Sequence, residues 1–401
     1  MKLSFEDISF LIKDRKFKEA IDCLDKLILN DPENSKYHNL KGALHYNLEQ
    51  FSDAIKSLTN IIKLKIDDPN VYHLRGLSNF KIGEIESAKK DFNQAISINK
   101  NFAEAYFGLG IIYFEKFENS KAIDYFVQST KMKNKFDHAI GYLTLALAST
   151  DQVLTSDSSI INSHNKIRKI KIEYSKDKFI DDIIVKNFLF QIDNILKENC
   201  NDINLKTTQV FRKNHTFLNC KRQKKIFSTY EVIPKFCFGC YKVQIEPQTI
   251  LDLIKLFIIF DNINLENDNF RKTMIEIRPN VKGNYKGLIY CDSLAEAKII
   301  QNKLKFLLQK NIKNNIICKV KRGCTEFAEK FPNYNSFDET KLSYNENWQK
   351  YENIIDDKYP HFKLKKQNIP TVKGVSLNDA LVIRNWLNYS KKIGDNSLTF
   401  L

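Results

Sequence analysis

The most chemically suggestive residues in the chain are two cysteines held two apart, in Cys237-Phe238-Gly239-Cys240. A Cys-x2-Cys turn places two thiolates on one side of the backbone, and its glycine eases the turn. Tetrahedral zinc needs four such donors. Cys220 and His215 lie upstream, so the expected metal set is Cys237, Cys240, Cys220 and His215, with zinc as the cofactor. An iron–sulfur centre is an alternative use of the same thiols. Cys291, Cys318 and Cys324 follow downstream, but no second close pair accompanies the first. Buried structural thiols are the competing reading, since cysteine is often simply core. A redox site would place the pair at the start of a helix, whose N-terminus lowers a thiol pKa. Here a strand is expected to follow, which argues against that use.

A second constellation is the basic stretch from Lys206 to Lys225. It holds Lys206, Arg212, Lys213, Lys221, Arg222, Lys224 and Lys225, and no acid occurs between Asp202 and Glu231. Phe211, His215, Phe217 and Phe227 are interleaved with these cations. Cations plus ring faces are what phosphate contact and base stacking require. The stretch therefore makes nucleic acid a second partner class; a solvated positive face is the competing reading. The net charge of +15 is unevenly placed. Residues 1–136 hold 21 Lys/Arg against 19 Asp/Glu, and residues 137–401 hold 42 against 29. Such asymmetry marks either a polyanion partner or compositional drift toward Lys, Asn and Ile.

Other chemistry is weakly signalled. No nucleotide-binding glycine loop, nucleophile elbow or metalloprotease helix motif is present. Glu326 and Glu329 fall three apart on an expected helix, a spacing more typical of a solvated face than of an acid/base pair. Whether the chain is an enzyme stays open. The densest apolar run, Ile250 to Phe260, is interrupted by Asp252 and Lys255. A spanning helix needs roughly 20 mostly apolar residues, so no membrane insertion is expected. Glu6 and Asp7 occupy the place where a signal peptide would be apolar, which points to a cytoplasmic location.

The elements that position these residues begin with a repeat. Ala20, Ala54, Ala88 and Ala122 recur every 34 residues, as do Gly42, Gly76 and Gly110. Leu24, Leu58, Phe92 and Phe126 keep a third register, and Leu27, Ile61, Ala95 and Ser129 a fourth. Four registers over four units resemble the tetratricopeptide repeat, a helix–turn–helix of 34 residues. The fourth unit resembles that family best, through Tyr106, Leu109, Gly110, Tyr113, Ala122 and Phe126. The first has Ile8 in the glycine place, and the second displaces its proline to Pro69.

The resemblance implies an all-α solenoid of stacked helix pairs. In the family, a groove lined by the first helix of each pair takes a partner protein or peptide. On this chain the implied groove residues include Asn39, Tyr46, His73, Phe80, Phe107 and Phe114. Tyr46, Phe80 and Phe114 repeat at 34 and could form an aromatic ladder for an extended peptide. Inter-helix core is the competing reading. Leu40, Ala43 and Leu77 stand where family members that clamp a C-terminal carboxylate carry polar groups, which argues against that mode. The whole chain also looks like uncharacterised bacterial repeat proteins carrying a Cys-Phe-Gly-Cys segment in a β-rich C-terminal region.

Beyond the repeats, Asp137 to Ala148 reads as a capping helix, Ser149 to Ser163 as a linker, and Asp177 to Glu198 as a helix. Strands are expected at Tyr241–Ile245, Met274–Ile277, Gly287–Tyr290 and Ile316–Lys321. Helices are expected at Gln248–Asp261 and, capped by Ser293, at Ser293–Lys310. This β-α-β-β-α-β order suggests a ferredoxin-like unit. Lys286-Gly287-Leu288-Ile289-Tyr290 partly matches the base-stacking strand of RNA-recognition modules, and an ordinary half-buried strand is the competing reading. Ser376 to Lys392 reads as a closing helix. The expected architecture is an N-terminal all-α tetratricopeptide solenoid followed by an α+β C-terminal domain. Its parts are four repeats at 1–136, a cap, linker and helical extension at 137–204, the α+β domain at 205–325, and a mixed segment at 326–401. The function this supports is an interaction scaffold or adaptor, with nucleic-acid binding and a metal- or thiol-dependent enzyme as alternatives.

Overall fold

Small residues at a fixed period let helices approach one another, and the computed structural model shows where. It describes residues 5–398 except 280, 313, 339 and 365. The chain divides into two units, residues 1–139 with 359–364, and residues 140–358 with 365–401.

The first unit is four antiparallel helix pairs. They are α1 (Phe5–Lys13) with α2 (Phe17–Asn30), α3 (Ser35–Asn47) with α4 (Phe51–Lys63), α5 (Pro69–Ile82) with α6 (Ile85–Ile98), and α7 (Ala103–Glu115) with α8 (Asn119–Met132). The 34-residue registers are the packing registers. Ala20, Ala54, Ala88 and Ala122 are completely buried. A Cβ on Gly42 would come within 2.8 Å of Leu58, on Gly76 within 2.8 Å of Phe92, and on Gly110 within 2.5 Å of Phe126. Pro69, displaced in the repeat pattern, opens α5, where its missing N–H costs nothing; Asp68 caps the same helix by accepting from the Asn70 N–H. Within this unit Arg75 grips buried Asp91 through two nitrogens and donates to Thr59, while Asn79 donates to the same carboxylate. That network ties α4, α5 and α6 together. The segment Tyr359–Leu364 belongs to this unit, and its His361 ring sits edge-on to Phe51 at 5.7 Å.

Next comes α9 (Asp137–Leu147), at the place expected for a cap. In the second unit α10 (Ser159–Arg168) takes the end of the expected linker, and α11 (Asp182–Asn199) follows. Strand β1 (Gln209–Arg212), α12 (Cys220–Tyr230) and α13 (Lys235–Gly239) lead into β2 (Tyr241–Glu246). Then come α14 (Ile250–Asn262), β3 (Arg271–Ile275), β4 (Tyr285–Cys291), α15 (Leu294–Asn311), β5 (Ile317–Arg322) and α16 (Gln349–Lys358). The sheet is antiparallel throughout, in the order β1-β3-β4-β2-β5. Ser293 caps α15 by accepting from the Glu296 N–H, as expected. Ser376 and Asp379 form a capping box on the closing helix Leu377–Lys392.

Strand periodicity sorts the sheet into two faces. Val243, Ile245, Ile275 and Ile289 turn to the buried side. There α14, buried along its length from Ile250 to Phe260, presses so close that a Cβ on Gly287 would meet Leu256 at 2.5 Å. The glycine in the Lys286–Tyr290 segment thus serves helix–sheet packing. The alternate residues, Lys242, Gln244, Lys272, Leu288 and Tyr290 among them, line a cavity on the opposite face.

Candidate functional site

Of the expected metal donors, Cys220, Cys237 and Cys240 lie near enough for their thiols to act on one another, and Cys324 joins them. Among the described residues, no group of three or more His, Cys, Asp or Glu is arranged to hold a metal ion. Exposed His215 lies in the loop after β1, where its carbonyl accepts from the Asn368 N–H. Cys220 begins α12 and is exposed. Cys237 and Cys240 are buried, and the Tyr334 hydroxyl donates to the Cys237 carbonyl. Hydrogen-bonded to Cys237 is Cys324, a thiol absent from the expected donor set. That bond, helped by burial, drives the Cys237 thiol up, and it favours the Cys324 thiolate against the opposing effect of burial. Burial pushes Cys240 up to about 12. The short helix α13 holds Cys237 and ends before Cys240, with β2 following, so this pair lacks the helix-opening placement of a redox motif.

The basic stretch is dispersed, and two of its cations are committed inside the protein. Arg212 is buried, with Nε 2.6 Å from Asp261 and a second ion pair to Asp379, and its guanidinium lies 5.1 Å over Phe257. Arg222 pairs with Glu352 at 3.0 Å and Asp356 at 2.6 Å. Their acid partners come from sequence positions far downstream, so a local count of charges could not see them. Both arginines leave the polyanion-binding set. Lys206 and Lys221 stay exposed, and Lys224 pairs with Glu326. Lys213 and Lys225 are half-buried.

A second cationic surface lies on the sheet. On the sheet face opposite α14 and α15 lies a cavity of about 880 Å³. Its strand residues include Lys242 and Gln244 of β2, Lys272 of β3, Lys286 and Tyr290 of β4, and Lys319 and Lys321 of β5. Of the basic stretch only Lys224 reaches it. Glu276 is held down to about 2, first by its hydrogen bond from Arg278 and then by Lys286. Loss of hydration lowers Lys242, and lowers Lys272 to about 8 with help from the charge of Lys242. In the sequence these lysines alternate with apolar residues on separate strands, so no charge cluster marks them. The usable signal was that alternation, once strand order is known.

On the repeat unit, Asn39, His73 and Phe107 take the same place in α3, α5 and α7, and each is half-buried. His73 packs against Phe92 and Phe102, and burial lowers it to about 4, so the ring is neutral near pH 7. Phe107 packs against Phe126 and Phe136. Tyr46 and Phe80 are half-buried, Tyr46 edge-on to Phe51. Phe114 is buried against Phe126, so the third rung of the aromatic ladder is core.

Residues 79–116 match a family model described as TPR repeat, and residues 103–136 one described as tetratricopeptide repeat. No curated protein matches the chain. Among solved structures, a crystal structure of MamA is 28% identical, over 35% of this chain and 81% of that one, with a TM-score of 0.33. YrrB, described as a TPR protein with an unusual peptide-binding site, is 14% identical over 49% of this chain and 84% of its own, with a TM-score of 0.32. The first TPR of Spaghetti, bound to an HSP90 peptide, is 18% identical over 29% and 92%, with a TM-score of 0.28. The chain carries tetratricopeptide repeats.

Proposed function

We propose that the protein is an interaction scaffold whose repeats dock a partner polypeptide along the first helices of successive pairs. One observation carries this reading: α3, α5 and α7 repeat one surface position at 34-residue spacing, and α3 and α5 repeat a second. The first row is Asn39, His73 and Phe107; the second is Tyr46 and Phe80. All five are half-buried, held in place by the stack yet partly open to solvent. Half-buried rings on a rigid array give contact area at little ordering cost, which is how an extended chain gains affinity. A neutral His73 also suits a surface that reads apolar and hydrogen-bonding groups.

The second unit is read as a ferredoxin-like β-α-β-β-α-β module from β2 to β5, extended by β1 beside β3. The antiparallel order β3-β4-β2-β5 supports this. The module gives the scaffold a second functional surface, its sheet face.

The test uses the full chain as bait, beside an Asn39→Ala, His73→Ala variant whose urea transition is measured in parallel. Partners captured by the wild type should be lost from a folded variant. Equal capture by both would overturn docking on this row.

A further inference from the structure

The sheet face carries charges that the fold alone works against. Lys242 of β2 stands directly opposite Lys321 of β5 in the ladder. Like charges so placed repel and destabilise an antiparallel pair. Lys242 Nζ donates to the Gly323 carbonyl at 2.7 Å, and Lys272 Nζ to the Gln209 Oε1 at 2.9 Å. Both acceptors are neutral. The three carboxylates of the cavity are already engaged. Glu276 holds Arg278 and Lys286, Glu246 holds Lys319, and Glu326 holds Lys224. Lys242, Lys272, Lys282 and Lys321 make no ion pair with a carboxylate among the described residues; Glu326, Glu276 and Glu246 act on Lys242, Lys272 and Lys321 only from a distance. Among the described residues, eight cationic and three acidic side chains line the cavity, a surplus of five positive charges.

Ammonium groups that lose water without gaining a counter-charge are costly. A concavity with one sign of charge also concentrates counter-ions. The volume falls within the usual range for small-molecule sites, roughly 300–1,000 Å³. Lysine is a point-charge donor suited to phosphate oxygens. Lys242, Lys272 and Lys321 lie on different strands, so separate phosphates can each meet an ammonium. Base stacking is poorly served, because Tyr290 is the one ring among the described lining residues. Phe211 beside it is already covered by Lys213 and Lys272.

We propose that this cavity binds a compact ligand carrying two or more phosphate groups. The ligand supplies the counter-charge that Lys242, Lys272 and Lys321 lack. Binding is independent of the repeat surface, so either site can fail without the other.

The experiment is calorimetric titration of the full chain with inorganic tripolyphosphate at low and moderate salt. Binding is expected, and it weakens as salt rises. Lys242→Met and Lys272→Met each weaken it at least about tenfold, equivalent to about 1.4 kcal/mol. Lys272→Arg, which keeps the charge, retains binding, and so does Lys221→Gln outside the cavity. Titration with ATP separates the sources. Equal affinity identifies the phosphate chain as the recognised group, and tighter binding identifies a nucleotide; both support the proposal. Absence of tripolyphosphate binding overturns it, as does equal weakening by Lys221→Gln and Lys272→Met. Tighter binding of a single-stranded RNA dodecamer than of tripolyphosphate, lost in the same lysine variants, also overturns it in favour of a nucleic-acid groove.

Discussion

Replacing Lys272 by methionine should make the protein more stable at neutral pH and progressively less so in alkali. Burial and the neighbouring charge of Lys242 lower this ammonium from 10.5 to about 8. At about 1.36 kcal/mol per pH unit, its charged form carries on the order of 3 kcal/mol of destabilisation. Methionine removes that penalty and also removes the hydrogen bond to Gln209, worth about 1 kcal/mol. The net gain is on the order of 2 kcal/mol. Below about pH 8 the lysine is charged in both the folded and the unfolded chain, so the penalty is fully present. Between about pH 8 and 10.5 the folded chain has released a proton that the unfolded chain still holds. Unfolding then takes up a proton, and wild-type stability rises with pH. The advantage of methionine therefore shrinks over that window and is largely gone by its upper end. Urea unfolding of both proteins at pH 7 and near pH 10 reads the difference directly. Destabilisation by the substitution at pH 7, or a gain that does not change with pH, would refute the reasoning and make Lys272 an ordinary structural residue.

Gly110→Ala should destabilise the repeat unit by about 1–3 kcal/mol, because its Cβ would sit 2.5 Å from completely buried Phe126. The roughly 1 kcal/mol of helix propensity gained does not offset that overlap. A urea midpoint that rises would show that the ring can move away. Cys324 should be alkylated by iodoacetamide faster than Cys237 or Cys240 at mildly alkaline pH, as read by peptide mapping. Its rate should drop in Cys237→Ala, which removes the thiol that holds its thiolate. Unchanged reactivity of Cys324 in that variant would break the pairing.

Legibility followed the range of the interactions. The repeat was open to reading because each Gly–large contact joins residues 16 apart, and the same spacing recurs at 34. Ser293 announced its helix because a cap is settled within three residues. Three of the later strands fall close to where they are expected, while β3 runs over Arg271–Ile275 rather than Met274–Ile277; β1 was hidden in the basic stretch, since an edge strand of four residues leaves little pattern. Arg212 and Arg222 looked available for polyanions because Asp261, Asp379, Glu352 and Asp356 lie between 49 and 167 residues away. Cys324 was passed over for the same reason. The lysine cavity needed the order β5-β2-β4-β3, which places Lys321, Lys242 and Lys272 on one face. Sequence alternation alone does not supply that order.

The most direct test of the scaffold reading is site-specific photocrosslinking in the full chain, with the photoreactive group at position 39 or 73. A third position, 29, serves as control, since Leu29 of α2 is 81% exposed and lies on a second helix. The reading predicts that positions 39 and 73 trap the same polypeptide while position 29 traps none. Equal trapping from all three positions, or none from 39 and 73, would contradict it.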